Sequence, residues 1–267
     1  MPSRPTEQGR PGRTAPPLLL ARFALTEHQR RQVARYGDLL AREPNAPTAI
    51  HDPERIVGDH FADALVAVEA GLIPSEGVLA DLGSGAGVPA LPIAIACPAL
   101  KVYCVESRTN KCDFIQASCS ALGLDNVEVV WARAESWDRG VGLCDVVTAR
   151  ALAALDVVLE YAAPLLKLGG RLVAWRGRRD ADGELAAARA AAILRLTPFA
   201  VVPVKPYPGV ESRHLHVFEK RGETPAEFPR REGAARKHPL GSRAAGTTER
   251  VGTPGPADLA APDRETR

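Results

Sequence analysis

Residues Val78–Ala90 read VLADLGSGAGVPA, an apolar run holding one acid, then Gly83, Gly85 and Gly87 at alternate positions, then a proline and a second apolar run. A short apolar run stopped by glycines is the pattern of a buried strand, and the apolar stretch after Pro89 is long enough for a helix. Strand, glycine turn and helix together set bare backbone N–H groups at the carboxyl edge of a sheet, beside a positive helix end. Outward from this unit the pattern repeats. Strands are predicted at 78–82, 101–106, 127–133, 144–149 and 170–175, and helices at 88–96, 108–122, 153–167 and 181–195. Apolar strands joined by helices of this length imply right-handed crossovers and a mostly parallel, doubly wound, Rossmann-like α/β sheet. The runs PFAVVPVKPY and RHLHVFEKR have no helix between them. They are expected as an antiparallel hairpin at the sheet edge, or as one edge strand plus one inserted strand.

The flanks read differently. Residues 1–17 are rich in Pro, Gly and Arg without periodicity and are expected to be a disordered arm. Thr26-Glu-His-Gln29 matches a capping box, followed by Leu25, Gln29, Val33, Tyr36 and Leu40 on one helical face. After the loop REPNAPTAIHDPE, Asp52-Pro53 is a helix start, and Ile56, Val57, Phe61, Ala64, Leu65 and Val68 form its apolar face. Residues 18–75 thus make a small N-terminal helical cap and residues 76–221 the main domain. Residues 222–267 are basic, rich in Pro and Gly, and expected to be disordered.

Composition bounds the function only loosely. The 267 residues are 45% hydrophobic and carry a net charge of +2, so nucleic-acid binding must be argued from local charge. Five cysteines, with no C-x-x-C pair and no zinc-type spacing, read as buried small hydrophobes in a reducing compartment, with no metal site. No apolar stretch approaches a membrane span and the N-terminus lacks a signal-peptide core, so a cytoplasmic protein without membrane association is expected.

Two ligands compete for the glycine turn. Gly85-Ala-Gly87-Val-Pro-Ala90 fits the G-x-G-x-x-A dinucleotide pattern, which alone is weak. Asp81, two residues before the first glycine, would repel a diphosphate and suits a ligand bearing an ammonium group. S-adenosyl-L-methionine has that group, a sulfonium and no phosphate, and its methionine part needs a backbone without Cβ atoms at close approach. Glu106, nineteen residues past Gly87 at the end of KVYCVE, can accept both ribose hydroxyls, a device shared with dinucleotide sites. Ala134-Glu135 in ARAESW can face an adenine edge.

The motifs LADLGSGAGVPALPIAI, CVESRTNKCDFI, ARAESW and DVVTARALAAL resemble the RsmG/GidB family, from about Leu25 to ESRHLHVFEK. That family methylates a guanine N7 in small-subunit (16S) ribosomal RNA using S-adenosyl-L-methionine on a class I methyltransferase sheet. The resemblance implies a cofactor site of Asp81, Gly83, Ser84, Gly85, Gly87, Val88, Glu106, Ala134, Glu135 and Arg150. Within it Gly83 and Val88 line the methionine and ribose side, and Arg150 holds the cofactor's tail or the site's geometry. The loop after the first helix keeps an asparagine (Asn45) but lacks the family's usual preceding tryptophan. Glu106 stands where aspartate is favoured, and Arg176 where lysine is.

Guanine N7 has a free lone pair and no proton to lose, so no acid or base is nominated; Arg150 is the candidate positioning cation. The chain has neither an Asn-Pro-Pro-Tyr-type run after the fourth strand nor a Cys-x-Cys pair. For 16S rRNA or a small-subunit precursor, the candidate contacts are Lys111, Arg176, Arg230, Arg231 and Lys237, with Arg178, Arg179 and Arg236 nearby. Three rivals stay open at this point: a methyltransferase of another substrate, an NAD(P)-linked oxidoreductase, and a catalytically silent RNA-binding protein.

Overall fold

The computed structural model describes residues 16–242. Seven strands form one sheet: β1 (Glu76–Leu82), β2 (Ala99–Glu106), β3 (Val127–Trp131), β4 (Cys144–Arg150), β5 (Leu166–Arg176), β6 (Leu196–Val204) and β7 (Arg213–Lys220). Their order is β3-β2-β1-β4-β5-β7-β6. β1 to β5 pair in parallel, while β7 runs antiparallel between β5 and β6. The last two strands pair antiparallel at the sheet edge, as expected of a hairpin, and its second strand is the one inserted next to β5. β6 is left as the outer edge, with Pro198 opposite Phe218 and Pro203 opposite His214.

Around the sheet lie the helices α1 (Pro16–Ala21), α2 (Glu27–Arg42), α3 (Pro53–Arg55), α4 (Asp63–Glu69), α5 (Ala90–Ala96), α6 (Thr109–Leu122), α7 (Leu155–Ala162), α8 (Ala181–Ile193) and α9 (Ala234–Lys237). Alternation along the strands divides the core. Leu79, Val102 and Val146 face one cluster with α2, α5 and α6, and Ala80, Leu82 and Val147 face a second with α7 and α8. Burial on both faces is why the central strands read as almost continuous apolar runs.

The cap is tied down by polar side chains rather than by burial alone. Thr26 and Gln29 make the expected capping box, and Val33, Tyr36 and Leu40 are buried. Gln29 donates to Ile95 O (2.8 Å), Gln32 to Leu122 O (2.9 Å) and Arg35 to Ala121 O (2.9 Å). Carbonyls at the ends of α5 and α6, which have no partner within their own helix, are thereby satisfied by α2. Asp52 caps the next helix by accepting from Arg55 N at 2.9 Å. Between α3 and α4 the chain is wound as a π-helix over Ile56–Ala62, with Asp63 N–H reaching back to Gly58 O. Wide turns of this kind re-aim side chains and recur at functional sites.

All five cysteines are buried and unpaired, and burial pushes the Cys144 thiol up to about 12 and that of Cys119 to about 11. One expectation needs correction. Residues 222–242 are not disordered but return across α7, and α9 lies in this segment. The chain is anchored there by buried polar partners: Lys220 donates to Ala163 O and Leu166 O (both 2.8 Å), and Arg230 forms a two-pronged ion pair with Glu160, which is 1% exposed. At the other end, Pro16 and Pro17 belong to α1. Residues 1–15 and 243–267 of the expected arm and tail lie outside the described residues.

Candidate active site

The strands β1, β2 and β4 carry the candidate residues Asp81, Glu106 and Arg150 near their carboxyl ends. Asp81 sits beside Cys104 and Thr148 in the pairing register and is 1% exposed. Its Oδ1 accepts from the Thr148 hydroxyl at 2.7 Å, while Oδ2 is buried without a partner. Desolvation pushes the Asp81 carboxyl up to about 6, against the hydrogen bond from Thr148. An orphaned carboxylate oxygen of this kind suits a cationic N–H donor.

The turn closes on itself. Gly83 N donates to Val105 O (2.8 Å), Gly87 N and Val88 N to Ser84 O (2.7 and 3.2 Å), and the Ser84 hydroxyl to Asp81 O (2.9 Å). Gly85 N donates to the Glu106 carboxylate at 3.1 Å. The same carboxylate accepts from Ser107 N (2.8 Å) and Arg108 N (3.0 Å), with Lys111 Nζ 3.9 Å away. Five of the turn's amides, those of Gly83, Ser84, Gly85, Gly87 and Val88, are therefore bonded to internal oxygens or to the Glu106 carboxylate, whose charge opposes a diphosphate. Gly85 has φ +59, and a Cβ built there would meet nothing nearer than 3.8 Å, so its surface is open to a ligand. At Gly83, with φ +68, a Cβ would come within 2.6 Å of Leu152 Cδ1. Both positions favour glycine through their positive φ, and at Gly83 Leu152 would also have to shift.

Beyond β3, Ala134–Ser136 forms a single 3-10 turn, and Glu135 accepts from Gly233 N at 3.1 Å. Gly83, Ser107, Ala134, Glu135, Tyr161 and Arg236 line one small cavity. The candidate set from Asp81 to Glu135 thus surrounds one continuous edge, with Val88 buried beneath it.

Arg150, at the end of β4, points elsewhere. Its side chain, 18% exposed, donates to Asp59 O (2.7 Å) and Asp63 Oδ2 (2.9 Å), and to His60 Nδ1 (3.2 Å). Arg213 Nε lies 2.7 Å from the other Asp63 oxygen in ion-pair contact, outside hydrogen-bond geometry. Trp175 Nε1 donates to Asp63 O at 2.7 Å. The π-turn makes this possible by placing His60 and Asp63 toward β4 together. Sequence reasoning missed Asp63, although an acid at Ile56+7 on an otherwise apolar helix face was a visible signal.

Because a guanidinium only donates, His60 Nδ1 must accept, and Nε2 carries the proton toward Thr48 Oγ1 at 2.9 Å. Burial first, then Arg150, push His60 down to about 4. Between about 6.5 and 4 the unfolded chain gains a proton there that the folded chain refuses, so His60 lowers stability as pH falls. Asp81 acts oppositely, since between about 6 and 4 the folded chain holds a proton the unfolded chain has released. The two slopes offset. His60→Gln is expected to lose less stability than its parent between pH 6 and 4, read as a difference in urea midpoint that grows as pH falls; parallel profiles would refute this.

The RNA candidates separate. Arg231 and Lys237 are exposed. Arg176 is held by Ala153 O (2.9 Å) and Lys111 faces Glu106, both at the sheet edge. Arg230 departs from the expectation, because its guanidinium is committed to buried Glu160 and to His238 O.

The family described as GidB, rRNA small subunit methyltransferase G, matches residues 29–215. The chain belongs to this family. Similar proteins named Ribosomal RNA small subunit methyltransferase G occur in Chloroflexus aggregans, 40% identical over 81% of this chain and 92% of that protein, and in Deinococcus radiodurans, 41% identical over 72% and 78%. A third, from Streptococcus equi subsp. zooepidemicus, is 37% identical over 82% of this chain and 95% of its own length. Among solved structures, a SAM dependent methyltransferase from Aquifex aeolicus is similar with a TM-score of 0.49 and 20% identity, over 63% of this chain and 94% of that chain. As a member of the rRNA small subunit methyltransferase G family, the chain is a methyltransferase by descent, and the oxidoreductase reading falls with it. Among the described residues no helix is long and apolar enough to cross a membrane, and no group of His, Cys, Asp and Glu is placed to hold a metal.

Proposed function

We propose that the chain transfers a methyl group from S-adenosyl-L-methionine to N7 of a guanine in 16S rRNA, within the small ribosomal subunit or its precursor in the cytoplasm. The observation that carries the cofactor is the orphaned Asp81 oxygen beside a glycine turn whose Gly85 amide is held by the Glu106 carboxylate. Asp81 would take the ammonium, Gly83, Ser84, Gly85, Gly87 and Val88 the methionine side, Glu106 the ribose hydroxyls, and Ala134-Glu135 the adenine. When bound, the cofactor supplies a sulfonium-activated methyl group for in-line attack by the N7 lone pair. The residues' work is then placement and exclusion of water, which in well-oriented systems is worth up to about 7–11 kcal/mol. Arg150 is a positioning residue, because it fixes the π-turn of the cap to the end of β4 through Asp63 and Asp59.

Small subunits from a strain lacking the protein should accept labelled methyl from the purified enzyme, with the label mapping to a guanine N7. Label on another atom, or none, rejects the reading. Arg231 and Lys237, together with Lys111 and Arg176, offer charge to the RNA backbone. Replacing Arg231 and Lys237 by Ala is expected to flatten the salt dependence of subunit binding, by about one unit of slope for each phosphate no longer neutralised. Arg230→Ala should leave that slope in place and lower the melting temperature instead; a flattened slope in that variant would restore Arg230 to the RNA face.

A further inference from the structure

The segment 222–242 lies beyond the residues that the family match covers, 29–215. It nonetheless reaches the cofactor edge. Its placement is specified by four separate contacts with the sheet domain. Arg230 is anchored on Glu160. Glu232 accepts from the Ser136 hydroxyl at 2.7 Å and pairs with Arg133 at 3.2 Å. Gly233 N donates to Glu135 Oε1 at 3.1 Å, and Arg236 donates to Leu152 O at 2.9 Å. Three of these partners, Arg133, Glu135 and Leu152, line the same small cavity, and Arg236 lines it as well.

We propose that this returning segment is one wall of the adenine subsite, with Arg236 covering the base and Gly233 positioning Glu135. The inference rests on the cofactor reading above. Adenine offers a π face and an exocyclic amine. A guanidinium held by a carbonyl at its edge can stack on such a face. The Gly233 amide fixes one oxygen of Glu135 and leaves the other for the amine. Tyr161, whose hydroxyl neighbours Arg236, completes the same side. Cofactor affinity in this chain therefore depends on residues that lie outside the strand–turn–helix machinery.

The test titrates S-adenosylhomocysteine and 5′-methylthioadenosine into the full chain and into Arg236→Ala and Arg236→Lys, by calorimetry. Arg236→Ala is expected to weaken both ligands by the same factor, about tenfold, with Arg236→Lys between it and the parent. The ligand-free melting temperatures should stay together. Unchanged affinity in Arg236→Ala, with the parent binding normally, overturns the wall and spares the cofactor reading. Loss confined to S-adenosylhomocysteine overturns it too, because Arg236 would then act on the amino-acid end. A parent chain that binds neither ligand ends both readings. Should the variants fail to fold, hydrogen exchange on the parent decides: S-adenosylhomocysteine must slow the amides of 230–240, and no slowing overturns the wall.

Discussion

Asp81→Asn is expected to weaken cofactor binding and, at neutral pH, to make the protein harder to unfold. Burial holds this carboxyl at about 6 instead of the ordinary 3.8, so keeping it charged at pH 7 costs roughly 3 kcal/mol of folding free energy. The amide keeps an oxygen for the Thr148 hydroxyl and removes the charge, recovering about 1–3 kcal/mol of that cost. The gain exists only where the parent is ionised. It should be full above about pH 7, shrink as pH falls through about 6, and vanish near 4. S-adenosylhomocysteine affinity should fall by about 1–3 kcal/mol in the variant, as when a charged hydrogen bond is lost. The parent's affinity should fade in the same pH window as Asp81 takes up its proton. Urea titrations and calorimetry at pH 8, 6 and 4 read all of this. A variant less stable than its parent at pH 8 would mean that Asp81 is structural.

Asp63→Ala is expected to lower stability by about 3 kcal/mol, the low end for breaking a buried ion pair, because Arg150 and Arg213 are 18% and 28% exposed and water can reach them. Asp63 is wholly buried between Arg150 and Arg213, so one deletion unpairs two guanidiniums from different strands and loosens the cap from the sheet. Arg213→Ala should cost less, because Arg150 still neutralises the carboxylate. The urea midpoint should fall without a change of slope. A loss below about 1 kcal/mol would show that solvent screens the cluster.

Much of this was legible in the residues. The crossover pattern follows from apolar strands stopped by Gly83 or by polar ends, since buried parallel strands leave few other options. Asp81 and Glu106 were visible because a charge beside a glycine turn has few uses. The position of β7 was not legible, since either strand of the antiparallel pair could join β5 with the same alternation pattern. The π-turn was invisible too. Its extra residue depends on Tyr207, about 150 positions away in the chain, packing on Gly58 and donating to Asp59. The returning segment was misread as disordered because Pro, Gly and Arg mark weak local preference. What orders it is Glu160, an acid that α7 hides in an apolar run.

The outer strand β6 carries a last consequence. A one-residue irregularity between Pro198 and Ala200 brings Pro198 and Pro203 into the same phase, opposite Phe218 and His214. β7 keeps its ladder past both, so the missing amide protons are subtracted from the side that faces water. A foreign strand approaching there finds gaps where it needs donors, although Phe199 and Val201 offer it greasy contact. Those two pyrrolidine rings let a seven-stranded sheet end in solvent without inviting an eighth.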